Sequence, residues 1–224
     1  MFGFSMLWVF QKLAMIPAIL ISLTLHELSH GYVAYRLGDH TAKSMGRLSL
    51  NPLKHLDPIG TLCLLFVGFG WAKPVPVNPY ALNKSPHAGM AWVAAAGPLS
   101  NLCQALLGGV MLLIYIQILG YEWLLTSDLT IALFVGYFLI YYIQINIVLM
   151  IFNLIPLPPL DGSRIVTVLL PQNLRYKYNT IERYGTLIML LLCVVPVGGG
   201  TIIGYILSTP VSLLSNMIYS LAGL

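Results

Sequence analysis

Charge is the scarcest resource of this sequence. Eleven Lys and Arg and seven Asp and Glu among 224 residues make it 8% charged, about a third of the share in soluble domains. Such a chain has no material for a large soluble domain. It also carries no basic stripe interleaved with stacking aromatics, which argues against nucleic-acid binding. Cysteine is equally sparse. Cys63, Cys103 and Cys193 lie far apart in apolar surroundings, so a disulfide framework and a Cys-based zinc site are both excluded, and they read as small buried hydrophobes. With so few ionisable side chains, each one found at membrane depth is a candidate for chemistry.

What fills the chain is apolar: 58% hydrophobic residues and a mean hydropathy of +0.85. This composition predicts an all-α polytopic membrane protein. No small-residue cleavage site precedes the first apolar run, so that run reads as a span and not as a removable signal. Apolar stretches predict helices over 12–36, 88–119 and 131–154, each long enough to cross a bilayer. Residues 59–69 are apolar but short for a span, which suits a re-entrant or interfacial segment. Pro74, Pro76 and Pro79 rule out a helix over 71–79 and favour an extended segment. Residues 185–197 and 201–221 form either a hairpin of one short and one full span or a single broken unit. We therefore expect five to six transmembrane or re-entrant helices in one membrane-embedded domain, 1–224, with a core over 12–165 and C-terminal helices over 185–221. Arg36, Lys43, Arg47, Lys54, Lys73, Lys84, Arg164, Arg175, Lys177 and Arg183 fall on one side in this topology. The 120–130 loop, without Lys or Arg, falls on the other. The basic side is expected to be cytoplasmic, with the short extended segments near it.

His26-Glu27-Leu28-Ser29-His30 closes the first apolar run. Two histidines at i and i+4 are about 40° apart around a helix, so both rings project from one face. That spacing suits two imidazoles on one Zn²⁺ with Glu27 beside the metal as proton carrier. In this composition such a pattern arises by chance with a probability of roughly 0.15%. His26 lies ten residues before Arg36, or about 15 Å along the helix, inside the bilayer and nearer one face. A catalytic zinc needs a third protein ligand and an open position. Asp39, Asp57, Glu122, Asp128 and Glu182 fall in predicted loops or helix ends. Asp161 follows an apolar helix directly, at the close of Asn153-Leu154-Ile155-Pro156-Leu157-Pro158-Pro159-Leu160-Asp161-Gly162. It can serve as the ligand, or simply cap the next helix.

The HELSH and Asn153–Gly162 segments together resemble the motif pair of the site-2 protease family of intramembrane zinc metalloproteases. Ala96-Gly97-Pro98-Leu99-Ser100-Asn101 resembles that family's third signature, and the short chain without an inserted PDZ domain is similar to its minimal prokaryotic branch. The 51–58 and 72–78 segments are similar to that branch as well. The resemblance implies that His26, His30 and Asp161 ligate one Zn²⁺ per chain around an intramembrane site. It also implies that Glu27 is the general base for hydrolysis of peptide bonds in transmembrane segments by zinc-activated water. The implied partners are a membrane-protein substrate with a transmembrane helix and the lipid bilayer, with no nucleic acid. The implied location is a prokaryotic cytoplasmic membrane, with the site near the cytoplasmic side. Asn101 and Asn153 are candidates for an oxyanion donor or a grip on the substrate backbone, although each can serve packing or helix-end hydrogen bonding instead. Arg164 reads as an interfacial charge. The alternative class is a zinc-binding membrane transporter or non-proteolytic module. Transporters usually carry ionisable residues along several helices, and the remaining helices here are nearly free of them.

Overall fold

The computed structural model describes residues 6–58, 60, 70–121 and 130–223. Helix α1 runs Met6–Arg36, starting six residues earlier than the apolar count suggests because nothing in Met6 to Phe10 breaks a helix. It stops in a Schellman turn at Gly38 (φ 101°), where Asp39 N–H donates to the Ala34 carbonyl at 3.0 Å and Gly38 N–H to that of Tyr35 at 3.1 Å. A short helix α2, Thr41–Ser44, follows, and residues 71–78 form a non-helical segment. Helix α3, Pro86–Leu119, begins on a proline that gives up no needed donor and ends at Gly120 (φ 68°). Helix α4, Ile131–Leu154, is capped by the Thr130 hydroxyl, which accepts from Leu133 N–H. Then come α5, Asp161–Leu169, α6, Gln172–Val194, and α7, Ile202–Leu221.

Four of these helices, α1, α3, α4 and α7, are long and apolar enough to cross a membrane. The protein is an all-α membrane protein; strand pairing among the described residues is confined to one isolated bridge, Leu56–Ala72, and a two-residue hairpin, β1 (Pro196–Val197) with β2 (Gly200–Thr201). Helix α6 begins thirteen residues before the apolar stretch expected at 185–197. Its first half carries Arg175, Lys177, Glu182 and Arg183, which a hydropathy reading discards although nothing in those residues opposes a helix. Gly198 and Gly199, at φ 54° and 92°, then turn the β1–β2 hairpin and bring α7 back against α6. The short segment expected at 59–69 lies outside the described residues except for Gly60.

The centre of the bundle is α3 packed against α1, α4 and α5, with α7 against α4 and α3. Apolar side chains gain little by meeting one another in lipid, so close approach through small residues has to hold such helices together. A Cβ on Gly108 would lie 2.9 Å from Ile143 of α4, and one on Gly109 would lie 2.6 Å from Ile218 of α7. Leu112, Leu133, Ile143 and Ile147 are fully buried around these contacts. Toward the end of α1 that carries its histidines the interior turns polar, with Ser22, Asn101 and Asn146 each fully buried.

Candidate metal centre

Three elements meet at this polar end. The last third of α1 presents His26 and His30, both buried, their rings edge to face with centroids 4.6 Å apart. Asp161 arrives from the opposite direction. Prolines 156, 158 and 159 cannot extend α4, and the chain reverses through a turn in which Leu157 N–H donates to Ile155 and Leu160 N–H to Leu157. Gly162 lets that turn fold onto the end of α4, since a Cβ there would lie 2.5 Å from the Leu154 carbonyl carbon. Asp161 therefore starts α5 as its first residue, and the N-cap position falls to Leu160. Of the two roles open to Asp161 in the sequence, the N-cap is not the one it takes.

The donor atoms of these three side chains converge. His26 Nε2 and His30 Nε2 are 3.0 Å apart, and Asp161 Oδ2 is 3.4 Å from the first and 3.3 Å from the second. Ligands placed tetrahedrally at a Zn–N or Zn–O distance of about 2.0–2.1 Å are separated from one another by about 3.3 Å. The proton inventory points the same way. His30 Nδ1 faces the Val93 carbonyl at 2.7 Å, and His26 Nδ1 faces Asn101 Oδ1 at 2.5 Å. Both oxygens only accept, so each Nδ1 must donate, and in the neutral rings both Nε2 atoms carry lone pairs. Asp161 Oδ2 is buried without a hydrogen-bond partner. Three lone-pair atoms thus face one another with no proton between them. A cation among them, or a proton on one ring, relieves that repulsion. Gly97 of α3 backs the space: a Cβ there would lie 2.5 Å from Cε1 of both histidines and against His30 Nε2. The group can hold a metal ion, and the donor set of two imidazoles and a carboxylate fits zinc.

Glu27 sits between the two histidines and is half-buried. Its Oε2 accepts a 2.9 Å hydrogen bond from the Val75 backbone amide. Val75 belongs to the 71–78 strap, which is extended as its prolines require. Lys73 N–H donates to the His55 carbonyl at 2.8 Å, and the Lys73 carbonyl accepts from Arg47. Asn78 N–H donates to Asp39 Oδ2 at 2.7 Å. Asp39, fully buried, also takes both the amide and the hydroxyl of Thr41 on Oδ1. Burial works to raise the Asp39 pKa, but the bonds from Thr41 and Asn78 outweigh it and hold the carboxyl below its ordinary value. Gly31 lets the strap close on α1, since a Cβ there would lie 3.1 Å from Val75 Cγ1.

The other residues singled out in the sequence fall as follows. Asn101 is fully buried behind His26, with its oxygen on that ring and its nitrogen donating to Asn146 Oδ1 at 2.7 Å. Asn153, near the end of α4, donates to the Leu149 carbonyl at 3.0 Å and is not among the three converging side chains. Arg164 pairs with Glu182 at the surface, tying α5 to α6. His55 is buried and bonds the Ser49 carbonyl through Nε2. Glu122 and Asp128 lie outside the described residues. Sequence reasoning missed three contributors: the Val75 amide, Gly97 as the wall of the site, and Asn146. Asn146 leaves a usable signal as an amide in the middle of an apolar helix, and Gly97 lies within the Ala96–Asn101 signature.

Residues 14–196 match the model of "Peptidase family M50". The chain is 45% identical over 195 residues to a Bacillus subtilis protein named "Putative zinc metalloprotease YwhC", covering 85% of this chain and 86% of that one. It is 27% identical over 180 residues to the Mycolicibacterium smegmatis "Putative zinc metalloprotease Rip2", covering 79% of this chain and 65% of the relative. It is 30% identical over 179 residues to the Methanocaldococcus jannaschii "Zinc metalloprotease MJ0392", covering 77% of this chain and 40% of the relative. No solved structure matches the chain significantly.

Proposed function

This chain belongs to peptidase family M50, the site-2 protease family, and from that premise we propose that it is a zinc endopeptidase that hydrolyses peptide bonds within transmembrane segments. The observation that carries the reading is the convergence of His26 Nε2, His30 Nε2 and Asp161 Oδ2 within 3.4 Å of one another, with Glu27 on the same turn of α1. His26, His30 and Asp161 would hold the ion, and the carboxylate offsets part of its charge in a medium that solvates charge poorly. When bound, zinc supplies Lewis acidity, lowering the pKa of water and polarising a carbonyl. Glu27 does the proton work: a carboxylate oxygen takes a proton from the attacking water and returns it to the departing amine nitrogen. The Val75 amide holds Oε2 and so aims the remaining oxygen. Asn101 acts behind the site, on His26, because its oxygen and nitrogen are both engaged there; Asn153 remains a candidate for the substrate backbone.

We read residues 1–224 as one membrane-embedded unit. The substrate class follows from the depth of the site. His26 and His30 lie about 15 Å and 9 Å from the end of a spanning helix, so a scissile bond must be brought into the bilayer. The basic residues at the same end of the bundle support a cytoplasmic-side site under the positive-inside rule, and the bacterial and archaeal relatives support a prokaryotic cell membrane. The test is cleavage of a panel of tagged single-span substrates by the purified protein, with bound zinc measured in parallel. Wild type should cleave and lose that activity on chelation, while Glu27→Gln should keep its zinc and not cleave. Cleavage that persists in Glu27→Gln refutes the proposal.

A further inference from the structure

Asn146 sits near the middle of the third quarter of α4, fully buried, and no part of the mechanism above calls on it. An amide at membrane depth is costly unless every polar atom is paired, and here each one is. One N–H donates to Ser22 Oγ and the other to the Tyr142 backbone carbonyl, both at 2.8 Å. The side-chain oxygen accepts from Asn101 Nδ2 at 2.7 Å.

The order of these bonds has a direction. A backbone carbonyl cannot donate, so the Tyr142 carbonyl forces the nitrogen of Asn146 toward itself and the oxygen toward Asn101. Facing an acceptor, Asn101 must present its nitrogen to Asn146 and its oxygen to His26. Facing an acceptor in turn, His26 must carry its proton on Nδ1, which leaves the lone pair on Nε2, the atom turned toward His30 and Asp161. We propose that Asn146 is a positioning residue that sets the ring tautomer of His26 through Asn101, so that Nε2 is ready to bind a metal. Without it the Asn101 amide is free to turn, its nitrogen faces the ring, and His26 shifts its proton onto the ligand atom. His30 needs no such relay, because the Val93 carbonyl holds its Nδ1 directly. The inference rests on the zinc-site reading above.

The test is the zinc affinity of the purified full chain, measured by competition with a chromogenic chelator. Asn146→Leu, which removes the acceptor facing Asn101, should weaken zinc binding by about 10–100-fold, the usual loss when an outer partner of a ligand is removed. Asn146→Asp keeps an acceptor toward Asn101 and should bind zinc within about twofold of wild type. In an Asn101→Asp background the carboxylate accepts from His26 whatever its neighbour, so adding Asn146→Leu should change affinity by less than about twofold. A pure packing role would cost as much in that background as in wild type, and would be lost to similar degrees in the Leu and Asp variants; either result overturns the relay. Nitrogen chemical shifts of the histidine rings in the zinc-free protein give an answer that does not depend on the variants folding. A proton on His26 Nδ1 in wild type, with or without a second one on Nε2, supports the relay, and an Nδ1 that carries none overturns it. Absence of zinc binding by wild type overturns the zinc site itself and the relay with it, whereas normal binding by wild type and Asn146→Leu alike overturns only the relay.

Discussion

Gly97→Ala adds one methyl group to the protein at the point where α3 touches both candidate zinc ligands. The new Cβ would stand 2.5 Å from Cε1 of His26 and of His30, where ordinary contact begins at 3.4 Å. The rings or the helix must therefore give way by about 1 Å, because a packed interior does not absorb overlap elsewhere. Zinc–ligand distances tolerate about 0.2 Å, so a displacement of that size detaches at least one ligand. Stability responds far less. Overpacking costs about 1–3 kcal/mol, but alanine is a better helix former than glycine by about 1 kcal/mol, leaving a net loss of about 0–2 kcal/mol. The substitution should thus separate zinc from fold: a protein that accumulates and unfolds near the wild-type temperature, yet binds little zinc and cleaves at least about 100-fold more slowly. Thermal unfolding in detergent, zinc content and single-turnover cleavage measured on one preparation make the comparison. A Gly97→Ala protein with full zinc and full activity would mean that α3 does not press on these rings, and the account of the site would fail with it.

Other consequences are simpler to state. Gly162→Ala drives a Cβ into the Leu154 carbonyl, so it should shift Asp161 and lower both zinc content and thermal stability, the latter by about 1–3 kcal/mol; a fully zinc-loaded variant would contradict the turn described here. Asp39→Asn removes a buried anion that accepts from Thr41 and Asn78 and should cost about 1.5–3 kcal/mol near neutral pH. Because the folded pKa of Asp39 lies below its ordinary value, that stabilisation is complete above the unfolded value of about 3.9 and fades as pH falls through the folded one. The gap in unfolding temperature between wild type and Asp39→Asn should therefore narrow on acidification, and a constant gap would refute the assignment. Arg164→Ala breaks only an exposed ion pair with Glu182, so it should change stability by less than about 1 kcal/mol and leave cleavage intact. A large loss of cleavage would assign Arg164 to the substrate.

Much was legible in one dimension because the governing forces act locally. Twenty or more apolar residues in a row have one stable solution in lipid, a helix that satisfies its own backbone, and so α4 and the ends of α1 and α3 are found where hydropathy puts them. The spacing of His26 and His30 turns into a shared face by helix periodicity alone. Where local chemistry is mixed, the reading weakens. The charged first half of α6 carries no hydropathy signal, so the helix begins at Gln172, well before the apolar stretch expected from Gly185.

Tertiary structure decided what lies opposite those two histidines. Asp161 is 131 residues from His30 in the chain, and its choice between ligand and helix cap depends on how a proline-rich turn folds back over Gly162. The same holds for the Val75 amide on Glu27, for Gly97 against the rings, and for the line of amides from Asn146 to His26. Each is a contact between elements far apart in sequence, with a polarity set by the last acceptor in the row. Residue type announces that a group can donate, accept or make room. Only the packing of α1, α3, α4 and the 71–78 strap determines which partner it meets and which atom carries the proton.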